Sequence, residues 1–557
     1  MKLQKISIKN FRGLKGNKNV VDFTNSDIIF LIGQNDIGKS SFLKAYEFFV
    51  EPKKSAELTD FYDYSESNTL EIEAEFLLDS ADSVNSDLRV DEDVASEPNW
   101  IKTKWADLNN IVRIKKVWDK QGDFKKYTWK PSAADWVMNG FGGLHQNLQK
   151  FAPTPIAINA METENSLEEK VNKLINDSFL KTVKRDYPLE YVAAENAVKK
   201  LQNSVLAPEN VLEHNKKINR LFKKVFSNLE LEICPKNEDI KLVDAFKKNH
   251  SINVKTGGSS RTETFRQHGH GVIRQALFNF LAFLKNVGGE ESNKKEYLIL
   301  FEEPELFLHP KVAYMLRKSL YDLAQNSSYQ VLCSSHSPLM IDISRPKSSI
   351  VRVVKNVDKT TATHQVGEEL FQRNDESKKR VQMINRFNPN VCESFYADLV
   401  LLVEGDTEAI VFRDLLERFF PEKEVYVLNT GSKNNMPFFQ EILTHFVIRH
   451  FIVHDTDTSD KASSWTLNKK IWQQVEKSNK NTAGLARRYV FKNNFEEDHM
   501  YNKERKIADG KPLAAFNFVQ EINSLDSDKK CVVFLKDMCS DEPKINHNQQ
   551  YIQKLFQ

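Results

Sequence analysis

The segment SDIIFLIGQNDIGKSSFLKAYEFF, residues 26–49, constrains this chain more than any other. An unbroken apolar run, Ile28–Ile32, leads into Gly33–Ser40, which has the spacing G-x-x-x-x-G-K-[ST], and a helical pattern follows. Buried strand, glycine loop and helix N-terminus form the sequence of elements that cradles phosphate. The glycines bring backbone N–H groups close to phosphate oxygens, and the helix start adds a favourable dipole. Gly33, Asn35, Gly38, Lys39, Ser40 and Ser41 are therefore expected to bind ATP, with Lys39 on the β- and γ-phosphates and Ser40 on Mg²⁺.

Two further strand ends carry polar side chains. In LILFEEPE the apolar run stops at Glu302 and Glu303, so two carboxylates stand at a strand's carboxyl edge. Glu302 is expected to hold Mg²⁺ and Glu303 to orient the attacking water. The run VLC ends in SSHSP, which puts His336 where it could sense the γ-phosphate. The turn QHGHG opens a long helical stretch, and its Gly269 and Gly271 offer free N–H groups.

Together with the opening IKNFRG, residues 8–13, these pieces resemble the ABC-type ATPases of the SMC and RecF group. The resemblance implies two heads sandwiching ATP, with the glycine loop of one protomer facing Gly269 and Gly271 of the other. It also implies Arg12 near the nucleotide. The turn QHGHG departs from the LSGGQ form usual in the group. Charge-rich helical patterns interrupt the resemblance, which suggests an ATPase in two parts, 1–160 and 229–385, around a helical dimerisation insertion, 161–228. The polar stretch from about Asp358 to Val391 reads as a linker.

From residue 386 a new α/β unit is expected. In LLVEGDTE a strand ends at Glu404, Gly405 turns the chain, and Glu408 falls in the first helical turn. HFIVHDTD ends another strand in Asp455 and Asp457, and FEEDHM follows. Carboxylates this dense repel one another unless cations sit among them. Hard oxygen donors suit Mg²⁺ or Mn²⁺, and two such ions about 4 Å apart clamp both oxygens of a phosphodiester displacement. The order strand–E-G-x-x-E, strand–D-x-D resembles the Toprim domain, and Gly431 stands where that family has a glycine between the two motifs. An ABC ATPase followed by Toprim is the layout of the OLD (overcoming lysogenization defect) nucleases, to which Gabija and retron-associated nucleases belong. The resemblance implies Glu404, Glu408, Asp455, Asp457 and Glu496 as metal ligands, with Glu404 and Asp455 catalytic. It implies Lys511 as a stabiliser of charge on the scissile phosphate. Arg487, Arg488 and Lys492 are candidate DNA contacts.

Composition narrows the setting. The net charge of +2 leaves DNA binding to a local patch, and 40% hydrophobic residues over 557 positions allow several cores. The five cysteines form no CxxC pair and fit reduced core thiols, hence a cytoplasmic protein. No apolar run has the length of a membrane span. The expected activity is an ATP-regulated, metal-dependent DNA endonuclease in antiphage defence, working as a homodimer or higher even oligomer. A helicase or a retron reverse transcriptase with its DNA is a possible activating partner. The alternative is a RecF-like DNA-binding protein without autonomous cleavage.

Overall fold

The computed structural model describes residues 1–78, 100–140, 152–161, 297–366, 389–500 and 510–556, apart from single positions and short loops. Between 162 and 296 it describes only parts of 166–205 together with 253–255 and 262–264. The chain divides into two compact units, Met1–Ala160 with Ser292–Gln557, and Met161–Glu291. The second unit therefore ends beyond residue 228. Its described parts include the helix Pro188–Val205, which begins at the expected proline.

Two sheets form the N-terminal half of the first unit. Strands β1 (Lys2–Lys9), β2 (Asn19–Asp22), β4 (Leu70–Leu77), β5 (Ile111–Trp118), β6 (Lys125–Lys130) and β7 (Asp135–Met138) form an antiparallel sheet in the order β2-β1-β4-β5-β6-β7. β4 shows why: Leu70, Ile72, Ala74 and Phe76 are buried, while Glu71, Glu73 and Glu75 face outward. That alternation is the signature of a sheet with one covered face.

The second sheet combines β3 (Ile28–Ile32), β8 (Thr154–Ile158), β11 (Tyr297–Glu302), β12 (Tyr329–Ser334), β13 (Ile350–Lys355) and β14 (Thr361–Gln365) in the order β14-β13-β3-β12-β11-β8. All pairings are parallel except β13 with β14. All five residues of β3 are buried, as a strand covered on both faces requires. The helix Lys39–Val50 places Phe42, Tyr46 and Phe49 in one core with Ile29 and Leu31 of β3 and Ile72 and Phe76 of β4. The remaining short strands, β9 (Asn253–Lys255) and β10 (Thr262–Thr264), pair antiparallel within the second unit.

β14 corrects the expected linker. Thr361–Gln365 has no apolar run, so nothing in its pattern announces a strand. Polar bonds hold it instead: Val20 N–H donates to Thr363 Oγ1 at 2.9 Å and Asp22 N–H to Gln365 Oε1 at 3.0 Å.

The C-terminal α/β unit has four parallel strands, β15 (Leu399–Val403), β16 (Val425–Asn429), β17 (Arg449–Asp455) and β18 (Ala486–Phe491), in the order β16-β15-β17-β18. Helices Asp406–Phe419, Gly510–Gln520 and Lys530–Met538 contribute Phe412, Phe518 and Phe534 to a core shared with Phe451 and Tyr489. Arg352 of β13 ties this unit to the ATPase sheet. It is 4% exposed and donates to the carbonyls of Phe446 and Ala397, each at 3.1 Å, and to Asp398 at 3.0 Å. Those partners lie just before β17 and β15, the strands that carry the acids. Cys333, Cys392, Cys531 and Cys539 are buried free thiols; Cys234 lies outside the described residues.

Candidate functional site

The parallel strands of each half end in a row of polar side chains. In the ATPase half, β3 delivers the phosphate loop, β11 delivers Glu302 and Glu303, and β12 delivers His336. Gly33 has φ 141°, and a Cβ there would stand 2.5 Å from the Val353 carbonyl oxygen, so only glycine fits. Lys39 is 4% exposed, and its ammonium donates to the carbonyls of Gly33 at 2.9 Å and Gln34 at 2.5 Å. Burial pulls its pKa down to about 8, against the opposing pull of Glu303, Asp36 and Glu305. His336 Nδ1 lies 3.4 Å from Lys39 Nζ, and His336 Nε2 lies 3.5 Å from Glu303. Burial, then Lys39, lower the imidazole's pKa. The structure thus brings Lys39, Glu303 and His336 together at one edge. Glu302 accepts from the Ala160 N–H at 3.1 Å. Asn35 and Ser40 are exposed on the loop and at the helix start, and Ser41 is half-buried. A buried lysine, a glycine loop and an open helix N-terminus fit a nucleotide triphosphate.

Arg12 makes a two-point contact with Asp60, at 3.1 and 2.9 Å. Its neighbour Gly13 packs on the loop, where a Cβ would lie 3.5 Å from Gly38 Cα. Gly269 and Gly271 lie outside the described residues. Glu305 went unrecognised in the sequence. Its Oε1 accepts from Ser335 Oγ at 2.8 Å, His336 N–H at 3.0 Å and Ser337 N–H at 3.1 Å, which fixes the loop bearing His336.

The second edge is more highly charged. Glu408, 5% exposed, reaches back to the Gly405 N–H at 3.2 Å and caps its own helix. Burial raises the Glu404 carboxyl to about 7, with Asp457 and Glu408 adding to the rise and Lys433 opposing it. Burial also raises Asp455 well above its usual range, reinforced by Glu408, Glu404 and Glu496. Five carboxyls, Glu404, Glu408, Asp455, Asp457 and Glu496, thus act on one another's charge. Glu497 bonds Asn493 at 2.9 Å and Asp498 bonds Lys530 at 2.5 Å, which leaves Glu496 as the acid of FEEDHM beside the cluster. Lys511 meets Glu496 at 3.2 Å. Gly431 has φ 69°, and the loop it opens carries Lys433, a second unrecognised residue. Lys433 contacts the Asp455 carbonyl at 2.5 Å and Asp457 Oδ2 at 2.8 Å.

Two buried carboxylate oxygens, Glu404 Oε2 and Asp455 Oδ1, have no hydrogen-bond partner among the described residues. An orphaned buried acid oxygen is costly unless a cation satisfies it, so the donor set fits a hard divalent ion. Among the described residues, no three such side chains converge tightly enough to grip an ion without adjustment. Two ammonium groups lie among these acids, Lys433 on Asp457 and Lys511 on Glu496.

Arg488 is not a DNA contact. It is fully buried and donates to the carbonyls of His547 and Asn468, each at 2.8 Å. Its place inside β18, under Trp472, cannot be read from an ARR triplet. Arg487 is half-buried and Lys492 exposed.

This arrangement matches known proteins. The AAA ATPase domain family matches residues 1–131 and 101–341. The overcoming lysogenization defect protein-like TOPRIM domain matches residues 395–457, which spans both the Glu404 and Asp455 motifs. The chain belongs to the OLD family. Its relatives in that family include the Old nuclease of Escherichia phage P2, 24% identical over 82% of this chain and 77% of the relative. Endonuclease GajA of Bacillus cereus is 23% identical over 83% of this chain and 76% of its own length. A solved SMC head domain from Thermotoga maritima covers 66% of this chain and all of its own, at 14% identity and a TM-score of 0.33. OLD membership brings an ATPase domain, hence ATP, and a Toprim domain, hence a divalent metal. Among the described residues no helix is long and apolar enough to cross a membrane.

Proposed function

We propose that this OLD-family chain is an ATP-regulated, divalent-metal-dependent DNA endonuclease of bacterial antiphage defence. The observation that carries the proposal is the second edge: buried, mutually repelling carboxylates with two orphaned oxygens at parallel strand ends. Glu404, Glu408, Asp455, Asp457 and Glu496 would hold Mg²⁺ or Mn²⁺. When bound, the ions would activate the attacking water and offset charge on the scissile phosphate. The chain's own part is to fix the donors. Helix capping anchors Glu408, β15 and β17 fix the origins of Glu404 and Asp455, and the exposed Lys511, now 3.2 Å from Glu496, would offset charge on the scissile phosphate.

At the ATPase edge, Lys39, Ser40 and Glu302 would bind MgATP, and Glu303 would orient water with His336 alongside. Two chains would pair head to head, with residues 161–228 adding to the dimer and Gly269 and Gly271 closing on the partner's nucleotide. The relatives' printed names, a nuclease and an endonuclease, support the reaction class. The test is incubation with supercoiled plasmid in Mn²⁺, with and without ATP. Wild-type protein should nick or linearise the plasmid, and E404A and D455A should not. Cleavage that survives in both variants would refute the site.

A further inference from the structure

The lysine inside the acid cluster has no role in the scheme above. Lys433 is 4% exposed, in contrast to Lys511, whose side chain is 73% exposed. A buried ammonium must be compensated by nearby acceptors, and Lys433 finds them in the turn that carries the acids. It contacts the Asp455 carbonyl and the Asp457 carboxylate, at 2.5 and 2.8 Å. Asp457 has a left-handed backbone, φ 49°, and its side chain is 46% exposed, so it hangs at the solvent side of the cluster.

The lysine is also held in place from behind. Thr430 N–H and Oγ1 both bond the Val403 carbonyl, at 3.0 and 2.9 Å, directly before Glu404. Ser432 Oγ and Asn435 Nδ2 brace the turn around Lys433. The loop is therefore fixed to the end of β15, and the ammonium rests on the turn after β17, against the Asp455 carbonyl and the Asp457 carboxylate, near enough to Glu404 to act on its charge. The acids fall into two sets. Glu404 Oε2 and Asp455 Oδ1 have no hydrogen-bond partner among the described residues, whereas Asp457 is already ion-paired.

We propose that Lys433 stands in the place of one of two divalent ions, so that the site fills in two unequal steps. The first ion enters the Glu404–Asp455 side, where the free oxygens are. The second binds only by displacing the Lys433 ammonium from Asp457. Lys433 is a positioning residue in this scheme and acts on occupancy of the second position. The inference rests on the metal-dependent nuclease reading of the same cluster.

The test is a Mn²⁺ titration of the full chain without nucleotide, with free Mn²⁺ read by electron paramagnetic resonance. Wild-type protein should bind one ion tightly and a second at least about 10-fold more weakly, because a fixed positive charge a few ångströms away opposes it. D457N should lose the weak ion and keep the tight one. K433M should tighten the second ion at least about 10-fold by removing that charge. A lysine that merely braces the fold could not give this result, since its loss would loosen both sites. Two equal sites in the wild type, or a second site unchanged or weaker in K433M, overturns the inference alone. If K433M does not fold, the wild-type and D457N isotherms decide it by the same criteria. A tight ion that persists in E404A, or no bound ion in the wild type, overturns the nuclease reading as well.

Discussion

The two polar edges of this molecule are built to opposite plans. At the ATPase edge the acids are spread over separate partners: Glu302 accepts from the Ala160 N–H, Glu303 lies 3.5 Å from His336, and Glu305 takes three donors on Oε1 while its buried Oε2 has no partner among the described residues. At the Toprim edge the acids instead raise one another's pKa, and two of their buried oxygens, Glu404 Oε2 and Asp455 Oδ1, have no hydrogen-bond partner among the described residues. The first edge is held mainly by protein donors and suits a ligand that brings its own anion and cation. The second is unfinished and needs cations from solution. Strand ends rich in acid can therefore serve as a scaffold or as a charge trap, and the repulsion among the acids tells which.

The strongest way to break this contrast is to remove one acid from each side. E404A and D455A should abolish plasmid cleavage, by at least about 10³-fold, while fluorescent ATP analogues still bind. E305A should leave the acid cluster intact but release three donors, and ATP turnover should fall as the His336 loop loosens. Should E404A abolish nucleotide binding too, the two edges are not the separate devices described here.

The junction gives the next largest effect. Arg352 is buried against two backbone carbonyls and Asp398, and truncation strands those acceptors. R352A should cost about 3 kcal/mol of stability in chemical denaturation, in line with breaking a buried charged network. A loss under 1 kcal/mol would mean that the halves are held together elsewhere.

A smaller effect comes from pH. The folded state holds the Glu404 carboxyl at about 7, above its unfolded value. The proton is thus bound more tightly in the native state. Stability from this group is full below the unfolded pKa and is lost as pH rises through about 7. The chelated protein should melt lower at pH 8 than at pH 5.5, and E404Q should flatten the difference. Mn²⁺ should raise the melting temperature more at pH 8, where the carboxylate is free to bind it.

Much of this was legible in the sequence, and the missing parts share a cause. Apolar runs ending in charge locate β11, β15 and β17, and one ending in a glycine loop locates β3, because a buried strand must be apolar and its end need not be. β14 was missed because side-chain bonds from Thr363 and Gln365 do the work of an apolar face. Glu305, Lys433 and Arg352 were missed because each acts on a partner remote in sequence. Arg352 and Asp398 are 46 residues apart, and no local spacing records that meeting. Arg488 erred the other way, since a charged side chain buried inside a strand looks like a surface one when only its neighbours in the chain are read.

The smallest predicted effect concerns how the two edges communicate. Gln34, inside the phosphate loop, donates to Asp398 at 2.6 Å, and Asp398 also accepts from Arg352. Asp398 immediately precedes β15, whose far end carries Glu404. Nucleotide that reshapes the loop would change the Gln34 contact, and Arg352 would keep Asp398 anchored meanwhile. The Gln34–Asp398 bond is exposed, so it is worth about 1 kcal/mol or less, and its loss should alter cleavage by no more than about 5-fold. The informative quantity is the ratio of cleavage with ATP to cleavage without it. Q34A should move that ratio toward one and leave the Mn²⁺ isotherm unchanged, because the acid cluster is untouched. D398N keeps an acceptor for both partners and should retain most of the ratio. A Q34A protein with wild-type ATP response would show that the edges communicate by another path, through the buried Arg352 contacts or between protomers.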